Sequence, residues 1–192
     1  MNFQEAKEFI LNKLKNELKP RLYYHCLSHT LDVYESAKKL AAMENITGKD
    51  LILLETAALY HDSGFLFGYC DHEQESVMVT RKYLSEFDYT DEDIDIICNM
   101  ILATRLPQNP KTLLEKILCD ADLDYLGRDD FFMIANRLLC EWNEHGHEVS
   151  LKKWYHIQVD FLEKNNYFTE SAIALRNEKK NQNLTQIQTL IN

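Results

Sequence analysis

The sequence predicts an all-α fold, built as a single-domain helical bundle. Only 5 glycines and 3 prolines occur among its 192 residues, whereas an all-β protein needs a turn about every ten residues. Hydrophobic residues make up 45% of the chain. That fraction is enough to form a buried core, so global disorder is excluded. The length suits one compact domain rather than two.

Apolar residues recur at helical spacing along most of the chain. Phe3, Ala6 and Ile10 mark one face of a first helix. The segment DLILLETAALYH is apolar almost all round, which is typical of a central buried helix. Thr90 is a good N-cap, with Asp93 three residues on as a variant of the capping box. These signals and the breaks between them predict helices at 3–18, 24–43, 50–61, 73–87, 91–104, 113–125, 129–142, 151–164 and from about 168.

The composition changes near the C-terminus. From about Glu178 the chain is polar and rich in Asn and Gln. We therefore predict a helical domain over residues 1–178, followed at 179–192 by a polar C-terminal tail or the end of a last helix. Ile187 and Leu190 are among the few apolar residues there that could dock on a partner.

Charge and cysteine usage limit the classes of partner. The formal net charge is -10 and no cluster of Lys and Arg occurs, so a DNA or RNA polymer is not expected to bind. Five cysteines are scattered singly, without the spacing of a disulfide framework or a structural zinc site. No signal peptide or transmembrane run is present. These features predict a cytoplasmic protein without membrane contact; they do not indicate an oligomeric state.

Four residues stand out as candidates for chemistry, namely His29, His61, Asp62 and Asp122. The His61-Asp62 pair ends the most apolar helix, where burial of a charged carboxylate is costly without a partner. Asp122 lies in an apolar helical run between Asp120 and Asp124. Because residues two apart point to different faces of a helix, we expect Asp122 to face inward. The other two aspartates would then meet solvent or hydrogen-bond to the inner site.

Two imidazoles and two carboxylates are a ligand set that suits one divalent metal ion. The set is compatible with Zn, Mn, Fe, Ni, Co or Mg, and it leaves positions for water. An ion with an open position acidifies bound water and polarises a phosphoryl oxygen. The pattern therefore indicates metal-assisted hydrolysis of a phosphate ester.

The order H…HD…D, in YYHCLSHTLDV, LYHDSG and CDADLDYLG, resembles the HD-domain superfamily of metal-dependent phosphohydrolases. The resemblance covers roughly residues 22–128. It implies an HD-type helical bundle with His29, His61, Asp62 and Asp122 as metal ligands. It further implies that Asp62 helps to activate the attacking water. The substrate class it implies is a small phosphate ester, with a nucleotide as the leading candidate.

Two further residues are candidates for contact with a substrate phosphate or with a second metal. His72 follows the HD loop, where binuclear members of the superfamily carry additional histidines. Arg105 stands near the place where such members have a further histidine. This departure favours a mononuclear site, with Arg105 as a candidate phosphate clamp because guanidinium matches phosphate geometry.

We expect other notable residues to have structural roles. His25 is expected to pack against His29 or to orient it. The loop residues Phe65, Phe67 and Tyr69 are the best candidates for a pocket wall. The cysteines are expected to be small buried hydrophobic side chains.

Two other functions fit the same ligands. One is a metal-stabilised sensor or regulatory module that binds a nucleotide without turnover. The other is an oxygenase with paired irons, which needs more ligands than the sequence offers. Metal content and product formation distinguish the three functions.

Overall fold

The computed structural model describes residues 1–191, which are mostly α-helical and contain no β-strand. The all-α prediction is confirmed. The α-helices of this range are α1 (Phe3–Glu17), α2 (Leu27–Met43), α3 (Gly48–Tyr60), α4 (His72–Tyr83), α5 (Asp91–Ala103), α6 (Leu113–Asp122), α7 (Phe131–Glu144), α8 (Leu151–Lys164) and α9 (Glu170–Ile191). Three short 3-10 turns (Ser63–Leu66, Leu84–Phe87 and Asp124–Gly127) lie between them.

Helix α3 is the centre of the bundle. Its apolar residues are almost completely buried, among them Leu54, Ala57 and Leu59, as expected for a helix that is apolar all round. The helices α1, α2 and α5 pack around it, and α2 also packs against α6. This arrangement brings the C-terminal ends of α3 and α6 close to the start of α2.

Helix α2 begins at Leu27, three residues later than predicted. The preceding segment is held in another way, because Glu141 of α7 accepts hydrogen bonds from the backbone N–H groups of Tyr24 and His25 at 2.8 and 3.0 Å. The predicted start at residue 24 was therefore wrong. The reason is a contact between residues far apart in the sequence.

Other boundaries shift by a few residues. The helix predicted at 73–87 ends at Tyr83 and continues as the turn Leu84–Phe87. The helix predicted at 113–125 ends at Asp122, and the turn Asp124–Gly127 follows. Thr90 caps α5 with the reciprocal Thr90–Asp93 hydrogen bonds of a capping box, as predicted.

Residues 179–191, considered above as a tail or as the end of a last helix, belong to α9. Two of its polar residues, Lys180 and Asn183, are buried. The Asn183 side-chain amide donates to the carbonyl oxygens of Leu126 and Arg128, both at 3.0 Å. A polar residue of α9 thus donates to carbonyl groups at the end of the turn Asp124–Gly127, and these groups have no partner within a helix.

Helix length and hydropathy also bear on membrane contact. Within residues 1–191, no helix combines the length and the apolarity that a membrane span requires.

Replacement of Asn183 tests the docking of α9. We expect Asn183→Ala to lower the free energy of unfolding by about 1–3 kcal/mol, because two buried carbonyl groups lose their donor. Asn181→Ala is the matched control, since Asn181 lies on the same helix with its side chain exposed. Urea denaturation of both variants measures the difference, and equal stabilities would contradict this account of α9.

Candidate metal centre and adjoining cavity

The four predicted ligands come from the ends of three helices. His29 lies in the first turn of α2, and Asp122 is the last residue of α6. His61 caps the C-terminus of α3, and Asp62 begins the turn that follows. Because the helices α2, α3 and α6 pack together, these four side chains meet in one place.

Ligand atoms of His29, His61 and Asp122 lie close enough to one another to hold one metal ion, and Asp62 Oδ2 adjoins both imidazoles. His29 Nε2 is 3.4 Å from His61 Nε2, 3.3 Å from Asp62 Oδ2 and 3.3 Å from Asp122 Oδ1. His61 Nε2 lies 3.2 Å from Asp62 Oδ2 and 3.6 Å from Asp122 Oδ1. Ligands that are each about 2.1 Å from an ion lie roughly 3.0–3.4 Å from one another.

A hydrogen bond selects the tautomer of His61. Its Nδ1 donates to the carbonyl oxygen of Ala58 at 2.8 Å. In the neutral ring the proton is therefore on Nδ1, and the lone pair on Nε2 faces His29 and the carboxylates. Metal-ligating histidines are commonly fixed in this way.

The carboxylate of Asp62 supplies an independent argument for a cation. Its Oδ2 atom is buried and has no hydrogen-bond partner within the described residues. A buried anionic oxygen without a partner is costly, and a metal ion at the common point of the four side chains removes this cost. The residues present therefore fit a divalent metal ion.

Without an ion, the site attracts protons to its imidazoles. Burial alone would lower the pKa of His29, but the nearby carboxylates of Asp122 and Asp62 raise it to about 9. Burial would raise the pKa of Asp122, yet His29 and His61 lower it to about 2. The carboxylates thus favour a positive charge at this point, and a divalent cation supplies that charge while the imidazoles stay neutral.

A cavity of about 240 Å³ adjoins the four side chains and includes Asp62 and Asp122 in its wall. Most of the wall is aromatic or aliphatic. The lining residues are Tyr24, His25, Asp62, Phe65, Tyr69, His72, Glu73, Thr104, Leu106, Asp122, Leu123, Tyr125, Leu138, Trp142, Trp154, Ile157, Gln158 and Phe161. Of the loop aromatics predicted to form a wall, Phe65 and Tyr69 do so, whereas Phe67 is 54% exposed.

Two histidine rings of this wall, which lie 5.7 Å from each other, both stack against one phenylalanine. The Phe65 ring lies 4.1 Å from the His25 ring and 4.2 Å from the His72 ring, centroid to centroid. His72 Nε2 is 3.5 Å from Asp62 Oδ1 and also 3.5 Å from Glu73 Oε1. His72 therefore stands at the edge of the ligand cluster and faces the second oxygen of Asp62.

Gly64 lets α4 approach this closely. A Cβ atom at Gly64 would overlap the carbonyl oxygen of His72. The Gly64 backbone N–H also donates to Ser76 Oγ of α4 at 2.8 Å. The glycine two positions after Asp62 is thus what lets α4 place His72 beside Asp62.

Glu141 is a site residue that the sequence did not reveal. It is fully buried, and it hydrogen-bonds with His25 Nδ1 as well as with two backbone N–H groups. Burial would raise the pKa of Glu141, but the interactions with His25 lower it. Since Nδ1 of His25 is engaged, Nε2 remains for a ligand. His25 thus has a defined orientation in the cavity wall, beyond the packing role predicted for it.

Arg105 lies outside the cavity wall. Its guanidinium binds Asp71 at 2.5 Å, and both side chains are largely exposed. Its neighbours Thr104 and Leu106 line the cavity instead. In this conformation Arg105 holds the loop before α4, and a contact with a phosphate requires it to leave Asp71.

The two aspartates that flank Asp122 are buried, and neither is solvated. Asp120 accepts hydrogen bonds from the backbone of Phe168 and Thr169 and from the Thr169 hydroxyl. Asp124 pairs with Arg176 through contacts of 2.7 and 2.9 Å. Asp120 thus binds the segment before α9, and Asp124 binds α9 itself. The expectation of solvent contact was wrong for both.

The expectation for the cysteines holds in part. Cys98 and Cys119 are buried, whereas Cys70 and Cys140 are exposed.

Part of the chain matches a known protein family. A model of the HD domain matches residues 26–124. The chain belongs to the HD-domain family. The matched segment contains all four clustered side chains, and it ends at the turn after α6. No curated protein matches this HD-domain chain.

Solved structures share the fold of this HD-domain protein along nearly its whole length. Bacillus subtilis YpgQ in complex with ADP is 22% identical, with a TM-score of 0.69 over 99% of this chain and 95% of its own. The Lin1889 protein of Listeria innocua is 24% identical, with a TM-score of 0.69 over 100% and 97%. A predicted HD superfamily hydrolase from an uncultured Thermotogales bacterium is 21% identical, with a TM-score of 0.64 over 98% and 90%.

Metal content tests the cluster directly. We expect about one divalent ion per chain after purification, and a large loss in His29→Ala because one of four ligands is removed. His156→Ala is the control, since His156 is exposed on α8. Plasma mass spectrometry of the three proteins gives the stoichiometry. Equal metal content in the two variants would contradict the assignment, and two irons per chain would favour the oxygenase.

Proposed function

We propose that this HD-domain protein is a metal-dependent phosphohydrolase that acts on a small phosphate ester, with a nucleotide as its substrate. The observation that carries the proposal is that Asp62 and Asp122, which belong to the cluster of four side chains, also line a cavity next to that cluster. The ADP bound to YpgQ, which shares the fold, supports a nucleotide as the substrate.

The ligand cluster has a defined part in this reaction. His29, His61, Asp62 and Asp122 would hold the ion. When bound, a divalent ion supplies Lewis acidity, which lowers the pKa of water and offsets charge on a phosphoryl oxygen. The formal net charge of the chain is -10, so this local positive charge is what makes a phosphate ligand acceptable.

Asp62 has two oxygens with different surroundings. Oδ2 faces the Nε2 atoms of His29 and His61, which suits a metal ligand. Oδ1 lies near His72 Nε2 and suits the role of proton acceptor from the attacking water. Through its two oxygens, the same carboxylate would bind the ion and orient the nucleophile.

The two stacked histidines suit the binding of phosphate oxygens. His25 and His72 line the cavity, and both rings stack against Phe65. A ring N–H of each can donate to a phosphate oxygen. Glu141 fixes the ring of His25, since it engages Nδ1 and the backbone of the same residue.

Turnover tests the proposal. We expect the wild type with added Mn²⁺ to release phosphate or pyrophosphate from members of a panel of nucleotides and sugar phosphates. Asp62→Asn should reduce kcat by at least about 100-fold, because it removes a general base and weakens a ligand. Asp160→Asn, at an exposed position of α8, is the control.

The outcomes separate enzyme from sensor. Full activity in Asp62→Asn would contradict the catalytic assignment. Stabilisation of the wild type by nucleotides without any product would favour the sensor or regulatory module.

Replacement of Glu141 tests the orientation of His25. We expect Glu141→Gln to raise KM for the ester about tenfold, because His25 loses a charge-assisted hydrogen bond worth about 1.5–3 kcal/mol. Metal content should stay near that of the wild type, since Glu141 does not contact the cluster. Glu144→Gln, one turn later on α7 and partly exposed, is the control.

Steady-state kinetics and metal analysis on the same preparations distinguish an orienting role from a structural one. Loss of metal together with loss of cooperative unfolding would show that Glu141 only supports the fold.

A further inference from the structure

The cavity wall contributed by α7 and α8 differs in chemistry from the wall near the metal ligands. It consists of Leu138, Trp142, Trp154, Ile157 and Phe161, with Gln158 among them. The HD-domain match ends at residue 124, so this wall lies outside the segment that defines the family. Its residues are therefore candidates for substrate selection rather than for metal binding.

Gln158 has a buried polar atom without a partner. The residue is 3% exposed, and its Oε1 atom forms no hydrogen bond with any of the described residues. A buried amide oxygen without a donor destabilises a protein, because its interaction with water is lost and not replaced. Gln158 lies in a cavity wall beside the four clustered side chains. A ligand that supplies the missing donor explains why this cost is tolerated there.

The charge of the lining restricts which part of a substrate can lie against α8. No lysine or arginine is among the residues that line the cavity in the described part of the chain. The anionic groups of a substrate must therefore stay near the metal cluster and the histidines. The group that reaches Gln158 and its apolar neighbours must be uncharged.

The shape and the polarity of this region suit a nucleobase. A primary amide offers a donor and an acceptor side by side, and Gln pairs in this bidentate manner with a base edge such as that of adenine. Aromatic side chains stack on bases of any identity, and Trp142 and Trp154 lie 5.2 Å apart, ring centroid to centroid. The volume of the cavity, about 240 Å³, lies just below the range of about 300–1,000 Å³ that is usual for small-molecule sites.

We propose that Gln158 is a specificity-determining residue of this protein, which pairs through its amide with the hydrogen-bonding edge of a nucleobase bound against the α7–α8 wall. The inference rests on the proposed function, because it takes a nucleotide as the substrate. It goes further in naming the residue that recognises the uncharged part of that substrate.

Gln158→Met tests this role, because methionine has a similar volume and no amide. The probes are methylene-bridged ADP, whose diphosphate linkage resists hydrolysis, and methylenediphosphonate, which carries the same anionic groups without a base. Titration calorimetry in the presence of Mn²⁺ gives both affinities. We expect the ratio of the two affinities to fall at least tenfold in the variant, which corresponds to about 1.4 kcal/mol.

The melting temperature of the ligand-free protein is a second readout. If Gln158 served only the fold, its replacement would lower this temperature. Gln158→Met removes a buried oxygen without a partner, so the melting temperature without ligand should rise by about 2–4 °C. Gln182→Met is the matched control, since Gln182 is exposed on α9, and it should leave both the affinity ratio and the melting temperature unchanged.

Three results would overturn the proposal. The first is an affinity ratio unchanged within twofold in Gln158→Met, and the second is a lower melting temperature of its free form. The third is a wild type that binds neither probe. In that last case, hydrolysis of p-nitrophenyl phosphate with one bound metal ion would show that the phosphohydrolase assignment survives while the nucleobase site does not.

Discussion

Two carboxylates and two imidazoles share one buried volume where α2, α3 and α6 meet, and their arrangement depends on a positive charge between them. Close carboxylates in a medium of low dielectric constant repel one another strongly. Without an ion, protons on the imidazoles provide the compensating charge, which is why the pKa of His29 rises to about 9. A divalent ion provides the same charge and leaves the nitrogen lone pairs available as ligands.

The end of α3 brings two of the four side chains to this point. His61 and Asp62 are adjacent in the sequence, yet both reach the same point because α3 ends there and a 3-10 turn follows. The apolar residues of α3 are buried on every side, so the helix cannot rotate or slide without loss of core contacts. Packing of the core thereby keeps the ligand atoms at the distances that one ion requires.

The segment from Asp120 to Asp124 carries three carboxylates that bind three different partners. Asp122 faces His29 in the cluster of four side chains, Asp120 binds the segment before α9, and Asp124 pairs with Arg176 of α9. The helix geometry separates them, since residues two apart point to different faces. One short segment therefore connects the metal centre with the C-terminal region.

Local patterns in the sequence were enough to predict the helices and the side chains that cluster at their ends. Apolar periodicity located the helices, and costly polar residues in apolar runs pointed to His61, Asp62 and Asp122. Glu141 could not be found in this way, because its partner Tyr24 is 117 positions away and a glutamate in a helix is ordinary. Gln158 was hidden for the same reason, since its lack of a partner is a property of the folded chain. The exact ends of α2 and α6 likewise depend on contacts between distant residues.

The division of the cavity between two parts of the chain has an evolutionary consequence. The four clustered side chains lie within residues 26–124, which match the HD domain, whereas α7 and α8 complete the cavity from later in the sequence. Substitutions in that later segment can alter the shape and the polarity of the cavity without any change in the cluster. Proteins with this architecture can therefore diverge in the molecules that they admit through a few exchanges on two helices, while the four clustered side chains stay the same.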